Sequence, residues 1–234
     1  MLSGTVKKAT TGLLGFDANT IISKELADEF FKQGYRFAIR YLSRSPEPAY
    51  DLNPAEAENI LNSGLALMAV QHVRAGYWAA TGDLGTADGI MAGKNASFVG
   101  FPAGVNIWCD LEAVDPKTTP DSVIAYANNW ASAVRDAGYL PGLYVGYESQ
   151  LSSAQIAGLG FKSYWRSQSN VPNAGVFGYQ MIQLYAETSI NGIKVDFDVT
   201  QSDFKNNQVT WLVREKDTSV LDPSTLSPIR QANM

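Results

Sequence analysis

Short apolar runs alternate with amphipathic segments along most of the chain, and the boundaries between them carry turn and cap residues. Residues 12–17 (GLLGFD) read as a first strand. Ser23 then caps a predicted helix through SKELADEFFKQ, which Gly34 ends. Residues 35–42 form the next strand, and Asn53 with Pro54 and Glu56 starts a helix that closes on Gly64. The run 65–73 (LALMAVQHV) is apolar almost throughout, as expected of a strand covered on both faces. A Gly-rich segment leads into a helix over about 86–98, and residues 105–112 (VNIWCDLE) supply the fourth strand. Thr119, Pro120 and Asp121 open the clearest helix in the chain, which stops at Gly138. Four more strands are predicted at 140–147, 161–168, 179–185 and 192–199, with little helical sequence between the last ones.

About eight strands, mostly parallel and alternating with helices over one domain length, predict the α/β class and a (β/α)8 TIM-type barrel whose late helices are short or missing. The rival is a doubly wound open sheet. That fold usually carries a Gly-rich phosphate loop after its first strand, and GFDANT is not one. The 234 residues could hold two small domains or one barrel, and no internal boundary is visible. The expectation is one barrel over residues 1–214. Residues 215–234 turn to Asp, Pro, Ser and Thr and are expected to wrap or fray as a tail.

Composition narrows the partners. With 45% hydrophobic and 11% aromatic residues the chain is not of the disordered class. The net charge of -5, with Lys7-Lys8 as the longest basic cluster, argues against nucleic acid. One cysteine, Cys109, excludes an internal disulfide. The N-terminus lacks the pattern of a signal peptide, and no stretch approaches the ~20 apolar residues of a membrane span. The expected protein is a soluble monomer without a cofactor, not inserted in a membrane. It would be cytoplasmic unless non-standard export, phage lysis or a secretion system carries it outside.

Acids gather where a barrel does its chemistry, at the carboxyl ends of the strands. Asp17 ends the first predicted strand, Asp110 and Glu112 the fourth, and Asp196 and Asp198 the eighth. Alternate residues of a strand share a face, so Asp110 and Glu112 should point the same way, as should Asp196 and Asp198. In a closed barrel the first and eighth strands are neighbours, which brings all five acids to one mouth. A single acid at a strand end is more often a helix cap or a loop ion pair. Five on three converging strand ends favour a site in which mutual repulsion raises at least one pKa. A protonated acid beside an ionised one can cleave a glycosidic bond.

Aromatic residues fit the same idea. Tyr77, Trp78, Tyr144, Tyr147, Trp165 and Tyr185 lie at or near strand ends, with Arg166, Gln168, Asn170 and Gln183 close by in sequence. Trp108 shares its facing with Asp110 and could simply fill the barrel. A divalent cation would also suit several carboxylates, but there is no HExxH or HxH, and His72 stands alone. A Ser or Cys nucleophile is poorly supported, because no GxSxG occurs and Cys109 alternates out of phase with Asp110.

Three segments carry a family resemblance. GFDAN, DLE and MIQLYAETSINGIKVDFDV, in that order, are similar to the family 25 glycoside hydrolases, the lysozyme-type N-acetylmuramidases. The opening GFDANTIISKELADEFFKQGYRFAIRYLS more closely resembles the glycoside-hydrolase-like domain-of-unknown-function family 1906, which Arg40, Tyr41 and His72 also fit. The resemblance implies a barrel that cuts the β-1,4 bond of peptidoglycan after N-acetylmuramic acid. Glu112 would be the general acid, assisted by Asp110, with Asp17 and Asp196 or Asp198 in the same pocket. Arg40, Tyr41, His72, Tyr144, Tyr147, Trp165, Gln183 and Tyr185 are the candidate substrate-binding residues, and no metal ligand is assigned. One departure is Gln-Leu-Tyr at 183–185, where family 25 usually has Trp-Gln-Tyr. The alternatives are a catalytically silent glycan-binding barrel and a metal-dependent phosphodiesterase.

Overall fold

The computed structural model describes residues 1–46, 50–175 and 177–214. The predicted tail, 215–234, lies outside them. In chain order the elements are β1 (Thr5–Lys8), β2 (Leu14–Ala18), α1 (Lys24–Lys32), β3 (Phe37–Leu42), α2 (Pro54–Ser63), β4 (Ala66–Gln71), α3 (Gly82–Val99) and β5 (Asn106–Leu111). There follow α4 (Pro120–Asp136), β6 (Leu140–Val145), α5 (Ser153–Ala157), β7 (Ser163–Arg166), β8 (Met181–Ile190), β9 (Ile193–Thr200) and β10 (Thr210–Val213). Strands β2 to β9 close on themselves through β4–β5 pairing, giving an eight-stranded barrel.

The first half follows its local signals closely. Ser23, Asn53 and Thr119 cap α1, α2 and α4, each accepting a backbone N–H with its side-chain oxygen. The third helix begins at Gly82 rather than near residue 86, because Thr81 caps it. Its glycines mark close contact with α4. A Cβ at Gly85 would stand 2.2 Å from the Tyr126 carbonyl oxygen, and one at Gly89 would stand 2.6 Å from that of Trp130.

The second half departs from the (β/α)8 ideal. Among the described residues the only helix beyond α4 is the five-residue α5, and none lies between β7 and β8. Strand β9 is antiparallel to both β8 and β2. The cause is local: Asn191 (φ 51°) and Gly192 (φ 82°) form a two-residue turn that folds β8 and β9 into a hairpin. The carboxyl end of β9 therefore points to the opposite mouth from the other barrel strands. Asp196 and Asp198 reach the site from within an antiparallel strand, which corrects the expectation that they end a parallel one.

Beneath the barrel, β1 and β10 pair antiparallel, and Leu212 of β10 joins Leu67 of β4. This ribbon had no counterpart in the sequence pattern. It carries Trp211 against Phe37, with ring centroids 5.4 Å apart. Phe37 and Trp108 fill the lower interior, pressed on Gly15 and Gly142, where a Cβ would meet their rings at 2.4 Å. The bottom is thus packed shut, with Asn106 and Thr200 spent on backbone groups there, and the interior carboxyls gather toward the upper end.

Candidate active site

Strand alternation sorts the site residues. Asp17 points into the barrel, while its neighbour Phe16 packs outward on Phe30 of α1 with centroids 4.1 Å apart. On β3, Tyr41 faces inward and Arg40 outward. The Arg40 guanidinium has no exposed surface. Its Nε donates to Glu56 Oε1 at 2.6 Å, Nη1 donates to the Ala18 carbonyl, and Nη2 donates to the Tyr50 carbonyl at 3.2 Å. Adjacent strand residues cannot share a face, so Arg40 braces the wall behind the site while Tyr41 enters it. On β5, Cys109 faces the helices beside Tyr126, and Asp110 and Trp108 face in.

A small cavity of about 70 Å³ opens at the upper end, lined by Tyr41, Val70, Asp110, Glu112, Tyr144, Trp165, Gln183 and Asp196. Glu112 follows the last residue of β5, and its side chain occupies space left by Gly146. A Cβ there would lie 2.3 Å from that of Glu112. Above it, Trp78 Nε1 donates to the Glu112 carbonyl at 3.0 Å.

Gln183 ties the acids together. Its Nε2 donates to Asp17 Oδ2 at 3.0 Å and to Asp196 Oδ2 at 3.1 Å, and its Oε1 accepts from the Tyr144 hydroxyl at 3.0 Å. Tyr41 donates to Asp17 Oδ1 at 3.0 Å, and Trp165 Nε1 donates to Asp198 Oδ1 at 2.9 Å. Asp17 and Asp198 also meet carboxyl to carboxyl. Asp198 Oδ2 is buried without a hydrogen-bond partner. Asp110 Oδ1 is likewise buried without a donor.

Burial without matching cations favours the neutral acids. It pushes Glu112 up to about 7, with the charge of Asp196 adding to the effect. Asp17 is also pushed up to about 7 by burial and then Asp196, against hydrogen bonds from Gln183 and Tyr41 that favour its charged form. Asp110 is raised well above the carboxylate range by burial and by Glu112 and Asp17, and Asp198 by burial and Asp17. The site therefore holds its protons near neutrality. Among the described residues, no group of three or more His, Cys, Asp or Glu is placed to hold a metal ion.

The other candidates lie outside this cavity. His72 lines a neighbouring cavity, with Nε2 2.8 Å from Asp51 Oδ1 and its ring stacked on Tyr41 at 4.6 Å. Tyr147 and Tyr185 are exposed. Tyr77 is also exposed and hydrogen-bonds Glu148.

The comparisons fit this geometry. Residues 28–206 match the family described as Rv2525c-like, glycoside hydrolase-like domain. The chain belongs to that family. This member of the Rv2525c-like family is similar in fold to the Tat-secreted protein Rv2525c of Mycobacterium tuberculosis, solved in complex with L-tartrate. The identity is 19% over 82% of this chain and 96% of that one, with a TM-score of 0.62. It is also similar to the bacterial lysozyme of Streptomyces coelicolor, at 14% identity over 84% and 95% of the two chains and a TM-score of 0.57. A third similar structure is the spore cortex lytic enzyme SleM of Clostridium perfringens, at 12% identity over 86% and 71% and a TM-score of 0.64. At these identities the likeness is one of fold. No curated protein matches the chain. Among the described residues no helix is long and apolar enough to cross a membrane.

Sequence reasoning passed over Gly146, Asp51, Arg44 and Arg74. The two arginines follow β3 and β4 by two and three residues, and that position at the carboxyl ends of barrel strands was the available signal.

Proposed function

We propose that this family member hydrolyses the β-1,4 glycosidic bond of bacterial peptidoglycan, with Glu112 as proton donor. The observation that carries the reading is a carboxyl held at about 7 by burial, at the edge of a cavity that it shares with Asp110, whose Oδ1 is buried without a donor. A general acid works best with a pKa near the working pH, and Glu112 meets that condition. The cavity of about 70 Å³ has room for about two waters, not for a sugar ring. The glycan therefore lies across the mouth, and its glycosidic oxygen or a water dips toward the acids.

As Glu112 gives its proton to the leaving oxygen, positive charge develops on the sugar ring. Asp196, whose charge also raises Glu112, lines the same cavity and stabilises that charge, while Asp110, held neutral, orients water or the substrate acetamido group. Asp17 and Asp198, bound by Gln183, Tyr41 and Trp165, hold the floor of the site in one protonation arrangement. Exposed Tyr147 and Tyr185 offer ring faces for the sugars. The site of action is the cell wall.

The test is release of reducing ends from purified peptidoglycan by the wild type and by Glu112→Gln. Release by the wild type and none by the variant supports the reading. Equal release by both overturns the role of Glu112, and no release by either favours a barrel that binds glycan without cutting it.

A further inference from the structure

A second and larger cavity, about 550 Å³, opens beside the acidic one. The two share a wall. Val73 lines the larger cavity and gives its backbone N–H to Asp110, while Tyr41 of the smaller cavity stacks on His72 of the larger. The volume is that of a small-molecule site.

Its charges are unevenly matched. Arg74 spends its fork on Asp88, with Nε to Oδ2 at 3.0 Å and Nη2 to Oδ1 at 2.6 Å, and the Tyr126 hydroxyl adds a third bond at 3.0 Å. Asp51 is taken by His72. Both neighbouring acids are thus occupied, and Arg44 remains. Its Nη1 is buried with no acceptor, and Arg74 stands close enough to repel it. Burial and that repulsion lower the Arg44 pKa, against the attraction of Asp88, Tyr126 and Asp110. A guanidinium that no acid holds by a hydrogen bond, lining a roomy cavity beside a second guanidinium, is suited to an oxyanion.

We propose that this cavity is a subsite for the oxyanion substituent of a glycan, a carboxylate or a phosphate, with the Arg44 guanidinium as the principal donor. The glycan part rests on the function proposed above; the oxyanion part rests on the cavity alone. Occupation would seat the charged sugar next to Asp110 and so fix which ring of an alternating glycan lies over Glu112.

Binding, which needs no turnover, separates the two parts. The probes are N-acetylglucosamine, N-acetylmuramic acid, N-acetylglucosamine 6-phosphate and inorganic phosphate, titrated by NMR on the wild type, Arg44→Gln and Arg44→Lys. The expected result is that at least one charged sugar binds about tenfold or more tightly than N-acetylglucosamine. Arg44→Gln removes that preference, Arg44→Lys keeps part of it, and added salt weakens it. Stronger binding of N-acetylmuramic acid assigns a carboxylate, and of the phosphosugar a phosphate. Phosphate binding that depends on Arg44, with charged sugars binding no tighter than phosphate, keeps the oxyanion site and overturns its assignment to a glycan. No preference for charge, or a preference unchanged in both variants, overturns the proposal. If Arg44→Gln does not fold, Arg44→Lys and the salt dependence still decide.

Discussion

Two sets of enclosed acids lie on opposite sides of the barrel wall, one among the loops and helices outside it and one on strands facing its interior, and they behave oppositely. Glu56, Asp88 and Asp51 each face a basic side chain: Arg40, Arg74 and His72. Glu56 also accepts the Ile22 N–H at 2.8 Å, so its carboxylate is fully answered. Asp17, Asp110, Glu112 and Asp198 face the barrel interior, and among the described residues none of the four joins an ion pair; their pKa values rise instead. The outer set spends its charge on holding loops and helices to the wall. The inner set is left unneutralised, at a cost in stability, and that is what keeps protons available for transfer.

The difference can be broken from either side. The largest effect is expected on catalysis: Glu112→Gln should lower reducing-end release by about 10²–10⁴-fold, while thermal unfolding shows a melting temperature unchanged or raised. In the outer set the same kind of change should do the reverse. Glu56→Gln leaves Arg40 enclosed without a counter-charge and should cost about 3–5 kcal/mol in denaturant unfolding, with activity per folded molecule retained.

Acidity sharpens the contrast. Asp17 and Glu112 rise from 3.8 and 4.5 to about 7 on folding, so between those values the folded state holds more protons than the unfolded. Stability contributed by these groups is therefore present at low pH, falls as pH rises toward about 7 and levels off above it. Melting curves at about pH 5 and pH 8 should show that fall in the wild type, and less of it in Glu112→Gln. Activity should decline above about 7 as Glu112 loses its proton. Asp198→Asn keeps an acceptor for Trp165 and adds a donor toward Asp17, so its unfolding free energy should change by no more than about 1 kcal/mol, toward stability. An effect of similar size is expected for Tyr41→Phe. It loses one hydrogen bond to Asp17, worth about 0.5–1.5 kcal/mol, read as a few-fold change in activity.

Much of this arrangement was legible in the sequence because it follows from local rules. Caps at Ser23, Asn53 and Thr119 set the early helices, and the two-residue period of β5 placed Asp110 and Glu112 together. The same period, applied to Arg40 and Tyr41, would have put them on opposite faces; the motif they share with a family obscured that. The antiparallel turn of β9 was also written locally, in Asn191-Gly192 between two alternating runs, but the expectation of a regular barrel overrode it. The pairing of β1 with β10 joins residues about 200 positions apart, and four-residue strands carry too little pattern to announce that. Arg44 and Arg74 gave no periodic signal, since only the folded chain shows that one has a carboxylate partner and the other does not.

Burial, with the charge of Asp196 beside it, keeps a proton on Glu112 near neutrality. Carbon-13 NMR of the Glu112 side-chain carboxyl, followed against pH in the folded protein, measures it directly. A midpoint near 7 is expected, against 4.5 for an ordinary glutamate. A midpoint in the ordinary range would contradict it, because Glu112 would then be ionised at neutral pH and have no proton to give.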